Sequence, residues 1–280
     1  MERSFTMYKS FEDMVAQPHL LIAGATGSGK SALLHDLIYH LLGAPKGHYA
    51  PRLYLIDPKR VELIDYATMP QTDRHATEPD DIIRTLRDVT DLMDDRYRSM
   101  MERPNPAERK FYGEPAVYVI IDELADLMTT SKKQVTPLLA RLTQLGRAAN
   151  VHVIAATQRP TRDLINGQIA VNIDARVALR CPTAQDSRNI IGVSGAENLP
   201  RYGSCIYRNP DGITRYTVPR IPPEEIQAAV EWLIAGRSSR SRHEREYVRV
   251  GGTLRRGEDL RDLDKPQWLR VLKKIFIFKW

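Results

Sequence analysis

A glycine-rich stretch follows the first apolar run of the chain. Residues 23–32 read AGATGSGKSA and contain the spacing Gly24-x-x-x-x-Gly29-Lys30-Ser31. Glycines allow tight turns that point successive N–H groups into one concavity, and the positive end of a following helix adds attraction for an anion. This pattern predicts a phosphate-binding loop for a nucleotide. The predicted nucleotide contacts are Gly24, Ala25, Thr26, Gly27, Ser28, Gly29, Lys30, Ser31 and Ala32.

Two side chains of this loop have distinct predicted roles. Lys30 would reach the β- and γ-phosphates, and the Ser31 hydroxyl would ligate Mg²⁺. The alternative is a glycine-rich turn that binds nothing. However, a strand-like run at 19–23 precedes the loop and a helical pattern at 30–42 follows it. This strand–loop–helix context favours the phosphate site and predicts ATP and Mg²⁺ as cofactors.

Acidic residues end another apolar strand. The run Val117–Ile121 is followed directly by Asp122 and Glu123. Open α/β sheets bind ligands at the C-terminal ends of their strands, so both carboxylates are expected to face the phosphate loop. Asp122 is the expected Mg²⁺ partner through water, and Glu123 is placed to polarise the attacking water. The alternative is a pair of solvated acids at a strand end.

A polar pair, Thr157-Gln158, follows a further strand pattern at 151–156. Polar groups at this edge of the sheet can sense the γ-phosphate and hold the attacking water. An ordinary strand-end turn is the structural alternative.

Short apolar strand patterns alternate with longer helical patterns along the chain. Continuous apolar strands of this kind indicate an α/β fold with a mainly parallel sheet and helices on both faces. The strand at 52–56 lies in sequence between the loop and the acidic strand, and an inserted strand with an Asp-Glu pair resembles ATPases that drive motors. Strands are predicted at 19–23, 52–56, 116–121, 151–156, 175–180, 203–207 and 213–218, and helices at 30–42, 79–102, 132–149 and 223–235.

The bulk composition excludes several classes of protein. The 280 residues are 42% hydrophobic and 27% charged, which permits a sizeable core. Cys181 and Cys205 give neither a disulfide framework nor metal-ligand spacing. The N-terminus has no apolar signal-peptide segment, and no apolar run is long enough for a membrane span. We therefore expect a cytoplasmic protein in a reducing compartment.

Positive charge is concentrated at the C-terminal end. Residues 237–280 contain 13 Lys/Arg against 6 Asp/Glu, whereas the preceding residues contain 28 against 29. A basic tail favours polyanions such as nucleic acid, although it can equally be a solubilising extension. Its last stretch, 268–279, mixes apolar and basic residues. That stretch could dock on the protein itself or make a weak contact with an anionic membrane surface.

Several stretches together resemble the FtsK/SpoIIIE family of double-stranded DNA translocases. They follow the family's order, and the resemblance covers roughly residues 12–235. "ATQRP" after "GRAANVH" is far more specific than the phosphate loop alone. The matching stretches are PHLLIAGATGSGKS (18–31), LYLIDPKRVEL (53–63), VIIDELADLM (119–128), LLARLTQLGRAANVHVIAATQRP (138–160) and DSRNIIGVSGAENLPRYGSCIY (186–207).

The resemblance implies a RecA-like motor domain that forms a hexameric ring, a homo-oligomer, around duplex DNA. Carried over by position, Gln158 is the sensor and Arg147 reaches into the neighbouring subunit's site. Without the resemblance, Arg147 would be interpreted as a solvated charge on the helix at 132–149. The implied DNA contacts are Arg159 and Arg188.

The chain also departs from the family's pattern. We expect a compact member with a lead-in at 1–17, the motor domain at 18–236 and the basic tail at 237–280, without a membrane region or a DNA-reading winged-helix module. Relatives tend to have lysine where this chain has Ala170 and Ala184. Fewer lysines mean fewer phosphate contacts and a flatter salt dependence of DNA binding.

Two functions are compatible with these features. The first is an ATP-driven motor that translocates double-stranded DNA. The second is a secretion-type or adaptor ATPase of the same superfamily that acts on protein. Intact Glu123 and Arg147 favour the motor, while the near-neutral charge of the first 236 residues and the two absent lysines favour the alternative.

Overall fold

A computed structural model describes residues 13–43, 51–103, 115–161, 164, 167–217, 222, 224, 226–228 and 230–231. The chain divides into two compact units, Met1–Ile221 and Pro222–Trp280. In the second unit, the described residues from 224 to 231 are helical, in agreement with the predicted helix at 223–235. The expected tail at 237–280 and most of the lead-in at 1–17 lie outside the described residues, so these domain boundaries stay predictions.

An eight-stranded sheet organises the described part of the first unit. The strands are β1 (His19–Ala23), β2 (Arg52–Ile56), β3 (Thr72–Ala76), β4 (Val117–Ile121), β5 (Val151–Thr157), β6 (Ala175–Ala178), β7 (Ser204–Asn209) and β8 (Gly212–Thr217). Their order in the sheet is β3-β2-β4-β5-β1-β6-β7-β8, in which β1 to β6 are parallel and β7 and β8 are antiparallel additions.

Helices connect several of the strands. Within the described residues, four short segments form 3₁₀ turns: Ile64–Tyr66, Gly146–Ala149, Ala170–Asn172 and Ala196–Asn198. The α-helices of the first unit with described bounds are α1 (Lys30–Gly43), α2 (Pro79–Met101), α3 (Leu124–Thr130), α4 (Lys132–Leu145) and α5 (Ala184–Ile191). Residues 13–16 are also helical. None of the helices in the described ranges combines the length and the apolarity that a membrane crossing requires.

The central strands are apolar along their whole length because both sheet faces are covered. Every residue of β1 and β4 is buried. Alternate residues of β1, β4 and β5 join one core with apolar side chains of α2 and α4. The predicted α/β fold with a RecA-like, mainly parallel sheet is therefore confirmed.

Some predicted elements differ from the observed ones. The predicted helix at 132–149 ends at Leu145, and Gly146–Ala149 forms a 3₁₀ turn that closes on the left-handed Asn150 (φ 55°). The strand at 175–180 is shorter and ends at Ala178. The polar edge strand β3 and the short helices α3 and α5 were not predicted, since none carries a long apolar pattern.

The identity of the inserted strand also differs. β2 follows the phosphate loop in sequence, but in the sheet it lies on the far side of β4. The strand that separates β1 from β4 is β5, which ends in Thr157. The Thr157-Gln158 pair therefore lies between the phosphate loop and the two acids.

Candidate nucleotide site

The loop between β1 and α1 depends on its glycines. Gly27 (φ 74°) and Gly29 (φ 97°) adopt left-handed conformations that L-residues with a Cβ rarely adopt. A Cβ on Gly24 would lie 2.6 Å from Leu179 Cβ and 2.7 Å from Ser28 Oγ. The result is a tight loop of bare backbone at a helix N-terminus, the geometry that binds phosphate.

Backbone hydrogen bonds fix the base of this loop to both neighbouring strands. Gly24 N donates to Thr157 O at the end of β5 (3.3 Å). Ala25 N donates to Arg180 O, just beyond β6 (2.9 Å). The loop is thereby held at the C-terminal edge of the sheet, where the sequence predicted it.

Lys30 and Asp122 form a buried ion pair. The ammonium of Lys30, only 4% exposed, bonds the carboxylate of Asp122 through Oδ1 and also donates to the Asp122 carbonyl oxygen (2.9 Å). Burial raises the pKa of Asp122, and the charge of Lys30 opposes that rise. The second oxygen, Asp122 Oδ2, is buried and has no hydrogen-bond partner among the described residues.

These groups fit a Mg²⁺ ion shared with a nucleotide. Mg²⁺ prefers oxygen ligands and is usually held by one or two protein groups together with phosphates and water. The unpartnered Asp122 Oδ2 is such an oxygen, and Ser31 lies half-buried at the start of α1, one residue after Lys30. Ser31 and Asp122 are therefore the residues that would hold the ion.

Glu123 is the most extensively bonded acid of the site. Its side chain is 2% exposed, and it accepts hydrogen bonds from Thr157 Oγ1 (2.7 Å) and from the Gln158 backbone N–H (3.0 Å). It also caps α3 by accepting from Ala125 N (3.3 Å), and Lys59 Nζ lies 3.5 Å from Oε2. These contacts hold the carboxylate at the edge of the sheet beside the phosphate loop.

Gln158 connects this carboxylate to the loop. Its backbone N–H binds Glu123, while its side-chain Oε1 accepts from Thr26 Oγ1 (2.8 Å). A residue that contacts both the phosphate loop and a neighbouring buried carboxylate is well placed to respond to a γ-phosphate. The structure thus brings Lys30, Asp122, Glu123 and Gln158 together as the sequence predicted.

Arg147 lies outside this group of residues. It is exposed in the 3₁₀ turn Gly146–Ala149, which leads into the N-terminal end of β5. The phosphate loop lies at the other end of that seven-residue strand, and strands rise about 3.3 Å per residue, so about 20 Å separates the two levels. Arg147 therefore lies far from the site of its own chain.

The predicted DNA contacts lie outside the nucleotide site. Arg159 is exposed and borders a cavity of about 620 Å³ that Lys132 and Ile169 also line. Arg188 is exposed on α5, where its guanidinium lies 3.5 Å from Gln185 Oε1. Their role in DNA binding stays a prediction. Ala170 is fully buried in the core, so a small residue suits its position.

Two polar residues beside the site were not predicted. Lys59 contacts Glu123 and also Asp126 (3.7 Å). The pKa of Glu62 is lowered, chiefly by the imidazole of His35, whose Nε2 lies 3.8 Å from Glu62 Oε2, and further by the neighbouring hydroxyl of Ser31. In the sequence, both residues follow the apolar strand β2, whose C-terminal end adjoins that of β4. This position is the sequence feature that could have identified them.

Comparison with known proteins shows the family of the chain. The FtsK/SpoIIIE family matches residues 6–105 and 104–162. The DNA translocase FtsK of Halalkalibacterium halodurans is 38% identical over 244 residues, which is 80% of this chain and 31% of that protein. The corresponding protein of Chlorobaculum tepidum is 37% identical over 79% of this chain and 30% of its own. The chain thus spans about a third of these relatives' length.

Solved structures share the fold. The pCW3 conjugation coupling protein TcpA, in its monomer form with ATPγS, gives a TM-score of 0.65 at 25% identity, covering 77% of this chain and 64% of that one. EssC (ATPases 2 and 3) from Geobacillus thermodenitrificans gives 0.65 at 17% identity, over 77% and 43%, a likeness of fold alone. With its P-loop ATPase core and the extent of the sequence match, the chain belongs to the FtsK/SpoIIIE family.

Proposed function

We propose that this protein is an ATP-hydrolysing motor that translocates double-stranded DNA as a hexameric ring in the cytoplasm. The observation that carries the proposal is the polar chain Thr26–Gln158–Glu123, which links the phosphate loop to the water-activating acid. Such a link lets the same residues register the γ-phosphate and promote its cleavage. The names of the translocase relatives support DNA as the substrate.

Each residue of the site has a role in hydrolysis. The loop N–H groups and Lys30 bind the phosphates, and Ser31 and Asp122 would hold a Mg²⁺ ion. That ion, when bound, neutralises charge on the phosphate oxygens. Glu123 accepts the proton of the attacking water, and Gln158 holds this water in line with the phosphate.

Arg147 completes the site from a neighbouring subunit. Because it lies about 20 Å from its own phosphate loop, at the other end of β5, it suits a contact with the next copy of the chain. An arginine supplied in this way stabilises charge in the transition state. Nucleotide state is then communicated directly from one subunit to the next.

DNA is contacted through its backbone. The exposed guanidinium groups of Arg159 and Arg188 can bind phosphates, and such contacts position a protein on a duplex without reading its sequence. The protein-moving alternative has weaker support, because the solved Type VII secretion ATPase EccC resembles this chain at 22% identity, which is a likeness of fold alone. DNA is therefore the substrate that we propose.

Duplex-stimulated ATPase activity and displacement of a triplex-forming strand test the proposal. Wild type is expected to hydrolyse ATP faster with duplex DNA and to displace the third strand. The double variant Arg159→Ala, Arg188→Ala should lose stimulation and retain DNA-independent turnover, whereas Glu123→Gln should lose both. ATP turnover in wild type that does not respond to duplex DNA across a salt titration would contradict the motor function.

A further inference from the structure

The order of the strands makes the surroundings of the phosphate loop different on its two sides. The loop follows β1, which has β5 on one side and β6 on the other. Glu123 and Gln158 follow β4 and β5, so the catalytic groups lie on one side. On the other side, beyond β6, the antiparallel strand β7 begins at Ser204 at this same edge of the sheet.

This arrangement fixes the direction of a bound nucleotide. The γ-phosphate must lie beside Glu123 and Gln158, because that is where water is activated. The ribose and base are at the opposite end of the molecule. They therefore extend away from the β4–β5 side, toward β6 and the start of β7.

Tyr202 lies on the side of the phosphate loop toward β6 and the start of β7. Its side chain is 65% exposed, and its hydroxyl oxygen lies 3.8 Å from the position that a Cβ on Gly27 would take. The adjacent Gly203 N is 3.9 Å from the corresponding position on Gly29. The segment that enters β7 is therefore packed against the phosphate loop, with an aromatic ring free to receive a ligand.

A single cavity joins Tyr202 to the phosphate-binding groups. It measures about 620 Å³, within the range of small-molecule sites, and Lys30 and Ser31 line it. Gln158 lines the cavity on the catalytic side, and the small or apolar residues Ala32, Leu179 and Gly203 also line it. Small and apolar residues beside one aromatic ring suit the flat, apolar face of a nucleobase.

We infer that Tyr202 is the platform on which the base of the bound nucleoside triphosphate stacks. The inference rests on the proposed ATP site. It adds the residue that makes this site bind a nucleotide more tightly than a polyphosphate without a base. Base–aromatic stacking tolerates any base, because every base has a π face. Tyr202 therefore contributes affinity for nucleotides as a class.

Isothermal titration of the full chain with Mg²⁺–ATPγS and with Mg²⁺–tripolyphosphate tests this role. Tyr202→Ala should weaken ATPγS binding about ten- to hundredfold, the range of one base–aromatic stack, and leave tripolyphosphate binding within about twofold. Tyr202→Phe, which keeps the ring, should bind ATPγS like wild type. Tyr202→Leu, which keeps the bulk and loses the ring, should behave like alanine.

Two results would overturn the assignment. One is an unchanged ATPγS dissociation constant in Tyr202→Ala. The other is an equal loss for ATPγS and tripolyphosphate, which would mean that Tyr202 shapes the phosphate loop. Thermal midpoints of all variants show whether the fold is retained. Because this experiment measures binding alone, it can succeed or fail independently of DNA-stimulated turnover.

Discussion

Asp122 and Glu123 are adjacent in the chain but have different partners. Asp122 is paired with the ammonium of Lys30 and keeps one unpartnered oxygen. Glu123 accepts hydrogen bonds mainly from the neutral donors Thr157 and Gln158, and its one cationic contact among the described residues is the partly exposed Lys59, 3.5 Å away. The first environment suits a cation-binding group and the second a proton acceptor held in a fixed orientation.

Substitutions at Glu123 and Lys30 should therefore separate hydrolysis from binding. Glu123→Gln keeps the size of the side chain and removes its basicity, so ATP should still bind while turnover stops. Lys30→Ala removes the phosphate contact and should abolish binding. Nucleotide titration and steady-state ATPase measurements check both, and wild-type turnover by Glu123→Gln would contradict the role of this acid.

The hydroxyl group of Thr157 should contribute to the rate of ATP turnover. Thr157→Val removes the 2.7 Å hydrogen bond to Glu123, and a bond to a charged group is worth about 1.5–3 kcal/mol. We expect kcat to fall about ten- to hundredfold with little change in KM. Thr85→Val is a matched control, because the Thr85 hydroxyl is buried without a hydrogen-bond partner among the described residues. A similar fall in kcat for both variants would contradict this prediction.

At the scale of elements, β1 and β5 carry the phosphate loop and the sensor. Their pairing includes a side chain: His19 Nδ1, at the start of β1, accepts from Val153 N of β5 (3.1 Å). Burial, with a further effect of His152, lowers the pKa of His19 to about 3. The histidine is thus neutral in the folded protein over the whole physiological range.

Acid should weaken this pairing in a defined pH window. The pKa of a histidine in an unfolded chain is about 6.5, so below that pH the unfolded chain binds a proton that the folded chain does not. The stability from neutral His19 is fully present above this pH and is lost as the pH falls toward 3. His19→Leu should flatten the decline of the urea midpoint between pH 7.5 and 5.5, and an unchanged slope would contradict this.

Sequence patterns identified the elements that are most apolar. β1 and β4 were predictable because they are apolar throughout, and Lys30, Asp122 and Glu123 followed because motif spacing attaches them to those strands. Strand order is set by long-range pairing. The positions of Lys59 beside Glu123 and of Tyr202 beside the loop depend on that order, so local patterns did not show them.

At the scale of the whole molecule, Arg147 and the phosphate loop lie at opposite ends of β5. Arg147→Ala should lower turnover, because an arginine supplied by a neighbour typically contributes about 10³–10⁵ in rate. Nucleotide binding to the isolated chain should be unchanged.

Mixing two inactive variants tests the direction of this contribution. In assemblies of Arg147→Ala with Lys30→Ala, one subunit supplies an intact site and its neighbour the arginine, so part of the activity should return. Assemblies of confirmed composition that regain no activity would contradict a role of Arg147 across the interface between subunits.

The distance of Arg147 from its own site has a consequence for kinetics. A chain that needs a neighbour's arginine is a poor catalyst alone, so turnover per chain must follow mass action and rise with protein concentration. Arg147→Ala should show a low turnover per chain that does not change with dilution. Turnover of wild type measured across a dilution series should fall toward that baseline, and duplex DNA, by gathering chains on one molecule, should shift the fall to lower concentrations.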